Sequence, residues 1–358
     1  MYKFSNPDSS FMRKVMISDN MFPKSVTLLF WFISHSLGGS TMPKIVAIHD
    51  LTTEQQQKIK DIAPDYELLV TKAKELTPSI VQDAEIMIGW SRSIQEDILS
   101  ADSKLKWIQA WSAGVDKMPL KELEEKGIQL TNASGVHSVP ITEHIFAMIL
   151  AFTRNLHLAI RQQSNNQWDT SGTFTELAGK TIVIVGVGQI GSHTARVAQA
   201  FGMRTVGVRH SGKSDPYVEA MYKVDQLDEA LAEGDYIVNI LPLTDDTRGL
   251  FDEARFSAMK DSAFFVNVGR GQTVVTEDMI RALQAGSLAG AGLDVFEEEP
   301  LPSDHPLWTL DNVIMTPHMA GDTDRYGERA VDIFLENLQN YVGGKPLSRN
   351  VIDYSKSY

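Results

Sequence analysis

The chain has no cysteine among its 358 residues. Disulfides, thiolate catalysis and cysteine-liganded zinc are therefore excluded. It also lacks a basic excess. The formal net charge is −13 and the sequence pI about 5.2, which argues against nucleic acid or an anionic membrane as partner. Its nine histidines show no pair at metal-ligand spacing with a helical carboxylate, so no metal site is expected. No internal repeat and no low-complexity segment is present. What remains is an ordinary globular composition on a chain long enough for two domains, each with its own core.

Residues 1–42 differ from the rest and are expected to be a disordered extension. The apolar run Val26–Ile33 follows Arg13, Lys14 and Lys24 but has only eight residues, and a bilayer span needs about 20. Asp8 and Asp19 lie where a signal sequence is positive. A disordered or mis-started extension is therefore preferred to a targeting segment, and a cytoplasmic location is expected.

From residue 44 onward, short apolar segments alternate with helical patterns rich in Glu and Lys. Ile45–Ile48, Glu67–Val70, Ile86–Gly89, Trp107–Ala110 and Ile128–Thr131 read as strands. Thr53–Gln56 reads as a capping box. A helix opening at Ser138 or Pro140 runs to about Arg154, apolar on nearly every side over Ile145–Phe152, and is expected to be buried between domains. Thr181–Val185, Thr205–Val208, Tyr236–Leu241, Phe264–Val268, Gly290–Val295 and Val313–Thr316 continue the strand series, and a last helix covers roughly 323–341. This alternation predicts an α/β protein built on parallel sheets covered by helices on both faces.

Four stretches carry chemistry. Gly186-Val-Gly188-Gln189-Ile190-Gly191 joins an apolar strand to an amphipathic helix, the context that gives a glycine turn meaning as a dinucleotide site. The next strand ends in Arg209, 18 residues past Gly191, with Ser211 and Lys213 beyond it. An NAD site places an acidic residue there, whereas a cation suits a 2′-phosphate. NADP(H) is therefore favoured over NAD(H). Arg270, flanked by Gly269 and Gly271 at a strand end, can grip a carboxylate and a carbonyl oxygen in one fork. Asp294 ends another strand, Glu299 precedes Pro300, and His318 follows Pro317 after a third. An Arg to hold the substrate, a His to move the proton and a Glu to keep the His charged suit hydride transfer to a 2-keto acid. Glu297 and Glu298 read as solvated loop charges. In the first half, Ala113 and Gly114 expose main-chain amides that suit a substrate carboxylate. Trp90 either lines the same cleft or packs in the core.

Together these stretches resemble the D-isomer-specific 2-hydroxyacid dehydrogenase family over about residues 44–345. The motifs are Ser112–Asp116, the glycine turn, Leu241-Pro242 through Thr247, Asn267–Gly271 and the Asp294–His318 segment. The resemblance implies a Rossmann cofactor domain, 139–320, inserted into a flavodoxin-like substrate domain, 43–138 plus 321–358. It implies that Arg270 binds substrate, His318 is the acid/base and Glu299 orients it. Asp294 would hold the nicotinamide carboxamide, and Leu241, Pro242, Val268, Gly269, His318 and Gly321 would border the cofactor. Arg209 looks like the NADPH-dependent glyoxylate/hydroxypyruvate reductases. A homodimer formed through the cofactor domain is implied, with Trp168 on its arm. Two alternatives stay open: an NAD-dependent 2-hydroxyacid dehydrogenase, and a nucleotide-sensing corepressor-like scaffold of the same fold.

Overall fold

The computed structural model describes residues 42–115 and 117–354. The extension over residues 1–41, its Val26–Ile33 run and Asp116 lie outside the described residues. No helix among the described residues is long and apolar enough to cross a membrane.

Among the described residues, twelve strands form two wholly parallel sheets. The first holds β1 (Lys44–Ala47), β2 (Glu67–Val70), β3 (Ala84–Ile88), β4 (Trp107–Gln109) and β5 (Gln129–Thr131), in the order β2-β1-β3-β4-β5. The second holds β6 (Thr181–Val185), β7 (Arg204–Val208), β8 (Ala220–Tyr222), β9 (Tyr236–Asn239), β10 (Phe264–Asn267), β11 (Gly290–Leu293) and β12 (Val313–Met315), in the order β12-β11-β10-β9-β6-β7-β8. The first order is flavodoxin-like. The second is the Rossmann order with one strand added at its far edge. Each order reverses at one point, and such folds bind ligands beyond the strand ends there.

Burial on both faces explains the unbroken apolar strands. Along β6, Val183 and Val185 enter one core and Ile182 and Ile184 the opposite one, as a side-chain period of two requires. The helix Ser138–Thr153 covers the second of these faces, packing Ile145, Phe146, Met148 and Ile149 against Ile182, Ile184 and Phe264. It lies on the second sheet and leaves Glu143 and Ala147 exposed. Its apolar run therefore marks a one-sided packing rather than the expected burial between domains. The last helix, Tyr326–Val342, returns to the first sheet, setting Val331, Phe334 and Leu338 against Ile45, Ile86 and Trp107.

Candidate active site

The site is assembled at the carboxyl ends of the second sheet, facing the first. At the reversal point β6 runs into the glycine turn. Gly186 donates its amide to Val208 O at 2.9 Å, which places the turn beside the end of β7 and Arg209. A Cβ on Gly191 would lie 2.6 Å from Gly186 O, so only glycine lets the helix Gln189–Ala200 sit this close to the strand. Gly188 has open space beyond its Cα, room for a phosphate at the positive end of the helix. Arg209 is half-exposed. Its Nη1 donates to Lys213 O at 3.1 Å, while Ser211 Oγ accepts from Lys213 N at 3.3 Å.

Arg270 follows β10 in a loop clamped between two neighbouring main chains. A Cβ on Gly271 would fall 1.9 Å from the Phe296 main chain, so no larger residue fits there. Thr273 Oγ1 donates to Arg270 O at 2.6 Å, and Arg270 Nη1 donates to Gly269 O at 2.7 Å.

His318 follows β12 with a left-handed backbone, φ 54°. Its amide donates to Asp294 O at 2.8 Å, and its Nδ1 lies 2.7 Å from Glu299 Oε2. Glu299 Oε1 in turn accepts from Phe296 N at 2.9 Å; the Glu299–Pro300 peptide is cis. Burial acts to raise the Glu299 pKa, but hydrogen bonds from His318 and Phe296 and the charges of His318 and Arg270 outweigh it and hold the carboxyl below its usual range. Asp294 is buried beneath the His318 loop. Its Oδ1 accepts from Thr316 Oγ1 at 2.6 Å and Met319 N at 2.9 Å, and its Oδ2 from Ala320 N at 2.9 Å. His144 Nε2 lies 2.8 Å from the Thr316 hydroxyl, which donates onward to Asp294.

Arg270, Asp294 and His318 meet in one cleft of 470 Å³, while Gly186, Gly188, Gln189, Gly191, Arg209, Ser211 and Glu299 stand outside its wall. Its wall brings together Ala113, Ile190, Leu241, Pro242, Val268, Gly269, Arg270, Asp294, His318 and Gly321, all read from the sequence. It adds His137, Ile141, Ile240, Ala320 and Asp322, which sequence reasoning did not select. His137 was the recoverable one, because it stands just before the helix at the crossing between domains. Gly114 is the exposed neighbour of Ala113. Trp90 is not in this wall; it packs against the core around Ile48, Val115 and Met118, where a large apolar ring at a strand end gains more from burial than from lining a polar cleft. A second cavity, 560 Å³, shares His318 and is otherwise walled mostly by apolar side chains, among them Phe296, Leu301, Trp308 and Met315.

Two parallel α/β domains, a glycine turn at the Rossmann reversal point, and an Arg and a His on one cleft with a Glu behind the His define a dinucleotide-dependent oxidoreductase. The chain belongs to the D-isomer specific 2-hydroxyacid dehydrogenase family, whose NAD-binding domain profile matches residues 146–320. The glyoxylate reductase of Aeropyrum pernix is 36% identical over 290 residues, 79% of this chain and 84% of that protein. The D-3-phosphoglycerate dehydrogenase of Methanocaldococcus jannaschii is 32% identical over 86% of this chain, and the chain spans 59% of that protein's length. Among solved structures, the NADPH-dependent glyoxylate/hydroxypyruvate reductase of Sinorhizobium meliloti, in complex with NADP and sulfate, is similar at a TM-score of 0.67 and 26% identity. The match covers 88% of this chain and all of that one.

Proposed function

We propose that the protein is an NADPH-dependent reductase of small 2-keto acids, of the glyoxylate/hydroxypyruvate type, forming the D-2-hydroxy acid. The observation that carries this reading is the cleft itself. Arg270 and His318 both line it, and Glu299 backs His318 at 2.7 Å.

The open space at Gly188 and the apolar wall of Ile190, Leu241, Pro242 and Val268 suit a dinucleotide. When bound, it supplies the hydride. Arg209 and Ser211 receive the 2′-phosphate, and the NADPH dependence of the S. meliloti relative supports that assignment. Asp294 has one donor on Oδ2 among the described residues, which leaves that oxygen able to accept from the nicotinamide carboxamide. Arg270 polarises the keto oxygen, and the Ala113 and Gly114 amides hold the carboxylate. His318, held at Nδ1 by Glu299, gives a proton from Nε2 to the forming alkoxide. The apolar cavity beside His318 leaves room for side chains larger than that of glyoxylate.

The test is kcat/KM for glyoxylate, hydroxypyruvate and bulkier 2-keto acids, with NADPH and NADH side by side. Turnover of a small keto acid with NADPH is expected. Tight cofactor binding without turnover across the panel would replace the reductase by a nucleotide sensor.

A further inference from the structure

The turn after β4 has its carbonyls fixed one by one. Trp111 O accepts from the Tyr326 hydroxyl. Ser112 O accepts from Ala133 N at 3.0 Å. Ala113 O accepts from Asn132 Nδ2 at 2.6 Å, and Gly114 O from Ser112 Oγ at 2.7 Å. The amides of Ala113 and Gly114 donate to none of the described residues. With every carbonyl tied back into the protein, those amides are left free beside the cleft that Ala113 lines.

Three of the four ties come from the turn itself or from residues just after β5. The fourth does not. Tyr326 opens the last helix, eight residues beyond His318, at the end of the segment that returns from the cofactor domain. Its ring lies 5.2 Å from that of His137 and 6.2 Å from that of Trp111. His137 Nδ1 lies 3.0 Å from Gly321 O, so the outgoing and returning crossings are joined at this point. Burial raises the Tyr326 pKa, which keeps the hydroxyl proton in place for donation at working pH.

We propose that Tyr326 is a positioning residue of the carboxylate site: by holding the Trp111 carbonyl it aims the Ala113 and Gly114 amides into the cleft. The proposal rests on the reading above, in which those amides bind the substrate carboxylate. It makes the amide cradle a structure of two domains, set in part by the segment that also carries His318. A free carbonyl at Trp111 lets the turn rotate, and a rotated turn presents its amides poorly to an anion.

Tyr326→Phe removes the hydroxyl and keeps the ring between Trp111 and His137. It is expected to raise KM for glyoxylate and Ki for oxamate, a carboxylate analogue of it, by the same factor of about three to ten. The NADPH dissociation constant and kcat should stay within about twofold of wild type. Asn132→Ala, which cuts the tie at Ala113, should do the same, and the double variant should lose less than the product of the two factors because both ties serve one cradle. An unchanged oxamate Ki in both variants overturns the proposal, as does a fall in kcat with KM and Ki intact. A wild type that binds oxamate but reduces no keto acid removes the reductase, and Tyr326 is then tested by the oxamate dissociation constant from calorimetry, which should rise by the same factor in Tyr326→Phe. A wild type that does not bind oxamate overturns the cradle together with the role of Tyr326.

Discussion

His318 is held at its main chain and at its ring before a substrate arrives. Asp294 O takes its amide, Glu299 takes its Nδ1, and the Phe296 amide fixes Glu299. Reduction needs a proton delivered from this ring, and the bond to Glu299 fixes the ring by its Nδ1 and leaves Nε2 for the substrate. Glu299→Ala should therefore lower kcat for reduction by about ten- to a hundredfold, with the NADPH dissociation constant near wild type. Steady-state kinetics and cofactor titration measure it, and an unchanged kcat would leave Glu299 a purely structural partner. Arg209 poses the cofactor question at the same scale. A charge-assisted hydrogen bond is worth about 1.5–3 kcal/mol, so Arg209→Ala should weaken NADPH binding roughly ten- to a hundredfold. Arg209→Asp should go further and favour NADH, since a carboxylate repels the phosphate and accepts from ribose hydroxyls. Titration of both cofactors decides it; an intact NADPH affinity in Arg209→Ala makes Arg209 a surface charge. Arg270 and His318 were singled out because each stands just beyond a strand end, and Glu299 because a proline follows it. Asn132 and Tyr326 were not, because their partners are main-chain carbonyls, and nothing in sequence spacing marks which carbonyl a distant side chain will reach.

At the level of elements, every strand expected from apolar runs is present, most with ends shifted by a residue or two, as fraying ends allow. The missed strand is β8, an edge of three half-buried residues, too short and too mixed to stand out. The capping box sits one residue earlier than expected. Thr52 Oγ1 accepts from Gln55 N at 3.2 Å, and Gln55 Oε1 accepts from Thr52 N at 2.9 Å. The long helix stops at Thr153, Asn155 adopts φ 53°, and a further helix, Leu156–Ser164, follows. Between elements, Asp235 ties the starts of β6 and β10 by accepting from Thr181 N at 2.8 Å and from Lys260 Nζ at 3.0 Å. Burial acts to raise its pKa, but these donors and the nearby lysine charges outweigh it and leave the carboxyl below its usual value. The stabilisation is then present above the unfolded carboxyl's ordinary value of about 3.9 and lost as pH falls through the lower folded value. Asp235→Asn should lower Tm at pH 7 by about 2–4 °C, with the gap to wild type closing below pH of about 4. Melting curves across pH check both parts, and a gap independent of pH would deny the charge its role.

At the scale of the whole molecule, four of the large exposed apolar residues fall on one stretch of chain, 156–174. Leu156, Ile160 and Phe174 are more than half exposed and Trp168 is 95% exposed. Such a cluster is the mark of a surface covered in solution by another chain. We therefore expect a homodimer joined through this arm, and Ile160→Ser with Trp168→Ser should yield a folded monomer by light scattering. A wild type of monomer mass in dilute solution sinks the expectation. The two-sheet architecture was readable because parallel strands buried on both faces leave unbroken apolar runs. The side of the crossing helix was not, since a nearly all-apolar helix does not name its partner. The return of the last helix to the first sheet has a consequence for how the chain is made. Residues 44–131 leave the ribosome as a sheet whose Ile45, Ile86 and Trp107 face waits for Phe334 and Leu338, synthesised after the entire cofactor domain. Until then Leu51, Ile59 and Ala63 cover that face only in part, and the remainder is open apolar surface, the kind that chaperones hold and that aggregates when they do not. The nascent protein is thus most vulnerable in the half it makes first, and its first domain is the last to become complete.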